Sequence, residues 1–339
     1  MNEFRLAHPG DEAELRQLSA LPIPGQWLDL SYQRNPNFFQ GLSHPNDQVL
    51  LGRYQGGPLA AMAVRSLPQL YVAGKPTPMG YLGSLRVDPR HQGRALLFEG
   101  FHLLRSLHQD DPAQEYLATV VEGNHLAYQL LVGKARPSWP RFHPAGTLYT
   151  LALETFPSRP AALPIRTSRA LEFLQEHGPS RNFFPCHTPK SAGETRIWIE
   201  HEGVVGAVRD LSACRQTVVD RYRGPLRWLR PLYNLWARWR GRPGLPPRGG
   251  QIRGAYLGYW GSDGTRPHAF GGWLQRALQL AHSAGLQWLY LGLLDSDPYL
   301  PVGRAFRHRL YRSQLYRVRY QGLPEPLDER PPYLELAWL

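Results

Sequence analysis

The segment Leu85-Arg86-Val87-Asp88-Pro89-Arg90-His91-Gln92-Gly93-Arg94-Ala95-Leu96-Leu97 holds the clearest chemistry in this 339-residue chain. An extended run stops at Pro89, Gly93 frees the backbone, and apolar residues at helical spacing follow from about Ala95. A helix start offers N–H groups with no intrahelical acceptor, together with the positive end of the macrodipole. A strand, a small-residue loop and a helix start in that order therefore suit a pyrophosphate. Gly93 lets the backbone approach the phosphates, and Arg90 and Arg94 add positive charge. No Ser-His-Asp set, HExxH or P-loop lysine motif is present.

The formal net charge of +12 favours polyanionic partners such as coenzyme A, nucleic acid or an anionic membrane surface. Arginine carries almost all of it, since Lys75, Lys134 and Lys190 are the only lysines. A bias this strong is also what genome composition or thermal adaptation would leave. Cys186 and Cys214 sit far apart and form no CxxC, which fits a reducing cytoplasm and argues against a zinc cage. The opening Met-Asn-Glu-Phe-Arg has no apolar h-region, so no signal peptide is expected. No apolar run approaches the roughly 20 residues that span a bilayer.

The elements that must position the loop follow from periodicity. Phe4–Ala7 is extended, and Asp11 is placed to cap a helix carrying Leu15, Leu18 and Leu21. Val49–Tyr54 and Leu59–Arg65 form a hairpin around Gln55-Gly56-Gly57-Pro58. Met79–Val87 is a strand, Ala95–Leu107 a helix, Tyr116–Val121 a buried strand, Asn124–Val132 a helix and Thr147–Leu153 a strand. Alternation puts Tyr81, Gly83 and Leu85 on one strand face and Leu82, Ser84 and Arg86 on the other. After a proline-rich linker at Pro157–Pro164 the order repeats. Ser168–His177 is a helix, and Arg196–His201 with Val204–Val208 a hairpin. Then come strand Ala255–Trp260, helix Phe270–Ala284, strand Trp288–Leu294, helix Val302–Arg309 and strand Leu315–Tyr320. The repetition is of structural order, not of sequence, and any α/β chain alternates in a similar way.

The loop resembles the acyl-coenzyme A loop of the GNAT-type N-acetyltransferases. In that family a strand ending Leu-x-Val leads to Arg/Gln-x-x-Gly-x-Gly/Ala. Leu85-Arg86-Val87 matches the strand and Gln92 the Arg/Gln position, with Ala95 and Leu97 at the later small positions. Thr119-Val120-Val121-Glu122-Gly123-Asn124-His125-Leu126-Ala127 resembles the next strand and the family's Asn-x-x-Ala helix beside the pantetheine arm. The N-terminal Phe-Arg-Leu-Ala-His-Pro-Gly-Asp-Glu-Ala-Glu-Leu resembles the opening strand and helix, so the likeness covers most of residues 3–153.

The resemblance implies an α/β fold with a mixed sheet and two GNAT-like acyl-CoA N-acyltransferase domains in tandem. These are residues 1–156 and a degenerate second domain at 164–339. It implies acetyl-CoA as donor, with Leu85, Arg86, Val87, Gln92, Gly93, Arg94, Ala95, Leu96, Leu97, Asn124 and Ala127 at the cofactor. A backbone N–H near Leu85–Val87 would bind the thioester oxygen. Glu122 at the end of its strand is the candidate base, or else a solvated turn residue. The family's tyrosine acid falls on Leu131, which leaves Tyr128 as a displaced candidate or an ordinary packed aromatic. Tyr81 and Ser84 are candidates for the acceptor wall. The acceptor would be a small-molecule or peptide amine.

The matching segment of the second half, from Ala255 through Gly272, has glycines but neither Val-x-Pro nor Arg/Gln-x-x-Gly-x-Gly. Between about Arg215 and Arg253, arginines interleave with Trp228, Tyr233, Trp236 and Trp239. That pattern suits single-stranded nucleic acid or a membrane-surface helix. The plainer reading is a helical insertion whose tryptophans pack on the core. The competing reading of the whole chain is a non-catalytic binding protein that uses this basic surface for nucleic acid or membrane.

Overall fold

The computed structural model describes residues 3–54, 57–91, 94–109, 111–133, 138–157, 164–264 and 266–339. Gln92 and Gly93 lie outside the described residues, as does most of the proline-rich linker (158–163).

The first half opens with β1 (Glu3–Leu6), α1 (Glu12–Ser19), β2 (Leu28–Gln33) and the hairpin β3 (Gln48–Arg53) and β4 (Leu59–Ser66). A small hairpin, β5 (Gln69–Val72) and β6 (Lys75–Pro78), precedes β7 (Gly80–Val87), α2 (Arg94–Gln109), β8 (Tyr116–Val121), α3 (His125–Leu131) and β9 (Arg141–Glu154). The second half runs α4 (Thr167–His177), β10 (Thr195–His201), β11 (Val204–Asp210), β12 (Gln216–Tyr222), α5 (Leu226–Trp239), β13 (Gln251–Ile252) and β14 (Gly254–Ser262). It ends with α6 (Pro267–Ser283), β15 (Trp288–Leu294), α7 (Leu300–Ala305) and β16 (His308–Arg319).

Eleven strands make one mixed sheet in the order β1-β3-β4-β7-β8-β16-β9-β15-β14-β11-β10. The order reads alike from either end. β7 and β8 are parallel, as are β14 and β15, and both pairs flank the centre. Beyond β10 the outermost place that β1 fills on the other side is marked by a bridge between Pro164 and Ile199. At the centre the two halves exchange strands. β16, from the second half, lies between β8 and β9, while β9, from the first, pairs with β15.

The main core lies in the second half, where Phe270, Trp273 and Trp260 are fully buried among Leu257, Leu291 and Leu293. The first half divides its packing between the sheet's two faces. Leu15 and Leu18 of α1 meet Val49, Leu51 and Met62 on one, and Phe101 and Leu104 of α2 meet Leu50 and Trp139 on the other.

Asp11 does not cap α1. His8 Nδ1 accepts the Gly10 N–H at 3.0 Å, and the Asp11 carboxylate is taken by the His8 N–H and by the Arg5 fork at 2.7 and 2.8 Å. A cap needs a side chain free to accept from the helix, and Arg5 has claimed this one. In the insertion the tryptophans are not on the core. Trp228 is 74% and Trp239 76% exposed, and only Ala237 of α5 is buried.

Candidate active site

Each half has a break at its centre. β7 and β8 pair from Gly80–Tyr116 to Leu82–Ala118 and no further, although β7 runs on to Val87 and β8 to Val121. β14 and β15 likewise stop pairing at Leu257–Leu291. In both halves a non-glycine residue in left-handed conformation sits just past the break, Ser84 at φ 52° and Tyr259 at φ 47°. The register against the outer neighbour shifts beside each, between Met62 and Val64 and between Val205 and Ala207. A bulge of this kind twists its strand away from the neighbour and re-aims side chains, which opens a cleft in the sheet.

The two clefts differ in what fills them. Residues 257–261 of β14 are all buried. The Tyr259 N–H donates to Glu335 Oε2 and to the Tyr333 hydroxyl, both at 2.8 Å. Glu335 is itself held by Arg209 at 2.7 Å, and Arg209 is held from the other side by Glu194 at 2.9 Å. A Cβ on Gly258 would lie 2.4 Å from the Glu335 carboxylate. The chain's own C-terminal segment therefore occupies the second cleft. In the first, residues 83–87 are half-buried or exposed, and the Leu85 side chain is 46% exposed.

The bulge overturns simple alternation along β7. Tyr81, Gly83 and Ser84 line one small polar depression with Arg34, Arg215, Asp47, Ser43 and Ser66. Arg34 donates to Ser84 Oγ at 3.3 Å and to the Gly41 carbonyl, with its guanidinium 4.9 Å from the Phe38 ring. Arg215 donates to the Gly41 carbonyl at 2.6 Å and the Ala337 carbonyl at 2.5 Å, and also to Ser43 Oγ. Burial, reinforced by the charge of Arg215, pushes Arg34 down to about 9, so it remains cationic at neutral pH. The Tyr81 hydroxyl meets Thr119 Oγ1 at 3.2 Å, and burial drives its pKa upward, so the phenol stays neutral. Tyr81 and Ser84 thus share a wall.

The residues of the loop divide by role. Val87 pairs with Ala61 at the end of β7. The Arg86 guanidinium bonds the Ser19 and Leu21 carbonyls at 2.8 and 2.9 Å, tying down the end of α1, so only its backbone faces the loop's task. Arg90 is spent on Asp88 at 2.7 Å. Arg94 and Ala95 open α2, and Leu96 and Leu97 follow with their side chains in apolar packing. The N–H groups of this first turn lack intrahelical acceptors.

Asn124 and Ala127 form a capping pair, Asn124 Oδ1 accepting the Ala127 N–H at 3.1 Å at the start of α3. That contact accounts for their spacing, since a capping side chain reaches the third helical N–H. Leu131 packs with Ala127 against β8 and β16. Tyr128, on the same helix, is 51% exposed. Glu122 follows the last residue of β8 and pairs with Arg312 of β16 at 2.6 Å, both side chains about half exposed. The Arg34–Arg215 pair had no signal in the sequence, because β2 and the segment before β12 meet only through their pairing (Gln33 opposite Gln216).

No family model matches the chain, and no curated protein does. Solved structures do. N-myristoyltransferase of Saccharomyces cerevisiae with bound myristoyl-CoA aligns at a TM-score of 0.64 and 11% identity, over 95% of this chain and 80% of that one. A second structure of the yeast enzyme with myristoyl-CoA gives 0.61 and 10%, over 94% and 83%. A third, with myristoyl-CoA and inhibitors, gives 0.60 and 10%, over 94% and 80%. The fold is the tandem GNAT-like fold, two similar halves in one mixed sheet.

Proposed function

We propose that this protein is an acyl-CoA-dependent N-acyltransferase that works in its N-terminal half. One observation carries the reading. Of two equivalent clefts, the one beside the loop that resembles a coenzyme A loop keeps residues 83–87 half-buried or exposed, and the other is filled by Glu335 and Tyr333 of the chain itself. The yeast structures, which hold myristoyl-CoA in a fold of the same kind, support a CoA-linked donor.

In this reading the donor's pyrophosphate meets the N–H groups at the start of α2, and its thioester enters between β7 and β8. The amine attacks the thioester carbonyl carbon, a C–N bond forms and the C–S bond breaks. The amine gives up a proton and the departing thiolate takes one. A β7 backbone N–H near Leu85–Val87 would steady the oxyanion. Glu122 is the base proposed and Tyr128 the acid. The depression around Tyr81 and Ser84, which Trp338 also lines and which has room for about one water-sized group, is assigned to the acceptor's amino group. Arg34 and Arg215 beside it suit an amine that also carries an anionic group, such as an amino acid or a peptide end. Acetyl-CoA is the donor proposed, and the myristoyl-CoA of the yeast structures supports a longer chain as the second reading.

Thermal unfolding of the whole chain with acetyl-CoA or myristoyl-CoA tests this. A ligand that binds only the native state, present at about 100 times its Kd, adds about 2.7 kcal/mol of stability. If neither donor raises Tm, the proposal fails and the non-catalytic alternative takes its place.

A further inference from the structure

Helix α5 is built inside out. Its polar and small side holds the protein, with Asn234 exchanging hydrogen bonds with the Leu245 N–H and carbonyl at 2.7 and 2.9 Å and Ala237 buried. Just past its end Arg242 clasps Glu154 at 2.7 and 3.1 Å. The opposite side is apolar and faces water. Trp228, Leu229, Leu232, Leu235, Trp236 and Trp239 are 74, 49, 64, 68, 40 and 76% exposed. Their spacing puts all six on one stripe of a 3.6-residue helix. Arg227 and Arg238 fall along one edge of that stripe and Arg240 along the other. Arg227 lies 4.9 Å over the Trp228 ring and Arg240 4.8 Å over Trp239. No aspartate or glutamate occurs from Arg221 to Ser262, a stretch that carries nine arginines.

We propose that α5 docks this protein on an anionic phospholipid surface. A solvent-facing stripe of leucine and tryptophan edged by arginine is the pattern of a helix lying in the headgroup region, with its apolar side in the acyl boundary and its cations on lipid phosphates. Trp228 and Trp239 stand eleven residues apart, about 16 Å at 1.5 Å per residue, and anchor both ends of the stripe at one depth. Among the described residues no helix is long and apolar enough to cross a membrane, so α5 would rest on the bilayer. The charge decides against a second copy of this chain, because pairing the stripes would crowd arginines with no local carboxylate to meet them. The leucines decide against nucleic acid, which offers phosphate and base faces but nothing to cover Leu229, Leu232 and Leu235.

Co-sedimentation of the full chain with vesicles tests this, comparing phosphatidylcholine alone with phosphatidylcholine mixed with phosphatidylglycerol. The chain is expected to pellet with the mixed vesicles and remain in solution with the neutral ones. A Trp228→Ser, Leu232→Ser, Trp239→Ser triple variant is expected to cut binding about tenfold or more while the donor-induced rise in Tm is kept. All three positions are exposed, so the variant should fold. Arg227→Gln with Arg238→Gln and Arg240→Gln should weaken binding and its dependence on salt. The proposal is overturned if the wild-type chain ignores the mixed vesicles or the triple variant still binds them. It is overturned equally if light scattering shows a dimer that Leu232→Ser dissolves, or if single-stranded RNA binds and the vesicles do not.

Discussion

The backbone N–H of Tyr259 points at the Glu335 carboxylate, 2.8 Å away. Ser84, which holds the equivalent left-handed position in the first half, is instead touched through its hydroxyl by Arg34 at 3.3 Å. Two copies of one backbone device thus have different occupants, and their chemistry separates on that point. Glu335→Ala should be a stability mutant. It would leave Arg209 buried with one carboxylate where it had two, and removing a partner from a buried ion pair costs about 3–5 kcal/mol. Chemical denaturation reads the loss, and a change below about 1 kcal/mol would contradict the network described here.

The same network sets an acid limit. Burial alone would raise the Glu194 carboxyl, but hydrogen bonds from Arg209 and Arg196 outweigh it and bring it down to about 2. A carboxyl held below its unfolded value stabilises the fold above that unfolded value, and the contribution is lost as pH falls through the folded one. Stability should therefore hold near neutrality and decline from about pH 5 toward pH 2. Denaturation midpoints across that window check it, and Glu194→Gln should flatten the slope.

In the loop, Gly93→Glu should abolish the rise in Tm with acyl-CoA by crowding and repelling the pyrophosphate. Donor affinity that survives the change would show the loop to be misassigned. The variant's ligand-free Tm, set against the parent chain's, provides the control for folding.

On the acceptor side, Arg34→Met should leave donor binding intact and raise KM for an amino-acid acceptor. The change should be about 10- to 100-fold, the range expected when a charged hydrogen bond is lost. An uncharged amine should be affected much less. Equal losses for both acceptors would assign Arg34 to holding the Ser84 bulge in place.

Glu122→Gln separates a base from a surface ion pair. The pair with Arg312 is about half exposed, and such pairs contribute roughly 0–1 kcal/mol, so stability should hardly move. As the base, Glu122 should cost about 100-fold or more in kcat. Tyr128→Phe asks the same of the acid, and a kcat unchanged in either variant removes that residue from the mechanism.

The sequence was most informative where an element is set by its own residues. Tyr116–Val121 and Trp288–Leu294 are strands residue for residue, because both are short apolar runs buried in parallel pairs. The hairpin turn at Glu202-Gly203 is equally local, both residues having positive φ. What escaped depends on distant partners. β2 is a strand because β12 lies beside it, some 190 residues on. β9 runs on from Thr147 back to Arg141 through Pro144 and Gly146, residues to which the sequence assigned no element, because β16 holds them in register. The bulge at Ser84 had no signal beyond a neighbouring glycine, and with it alternation mis-sorted the cleft's own wall. The mixture of tryptophan and arginine around α5 was plain, and a helical insertion was expected there. The side facing the protein was not, because amphipathicity does not say which face turns inward. Gln92 and Gly93, on which the sequence argument rests most, lie outside the described residues.

The exchange of β9 and β16 ties the order of synthesis to the order of folding. The central edge of β8 stays unpaired until residues 308–319 have left the ribosome, although β7, α2, β8 and α3 are all translated by residue 131. An exposed strand edge is a template for aggregation. The nascent N-terminal half must therefore wait, about two hundred residues of translation, for a strand that only its successor can supply. A gene cut at the linker should yield two insoluble products. Their co-expression should restore a soluble complex in which each half closes the other.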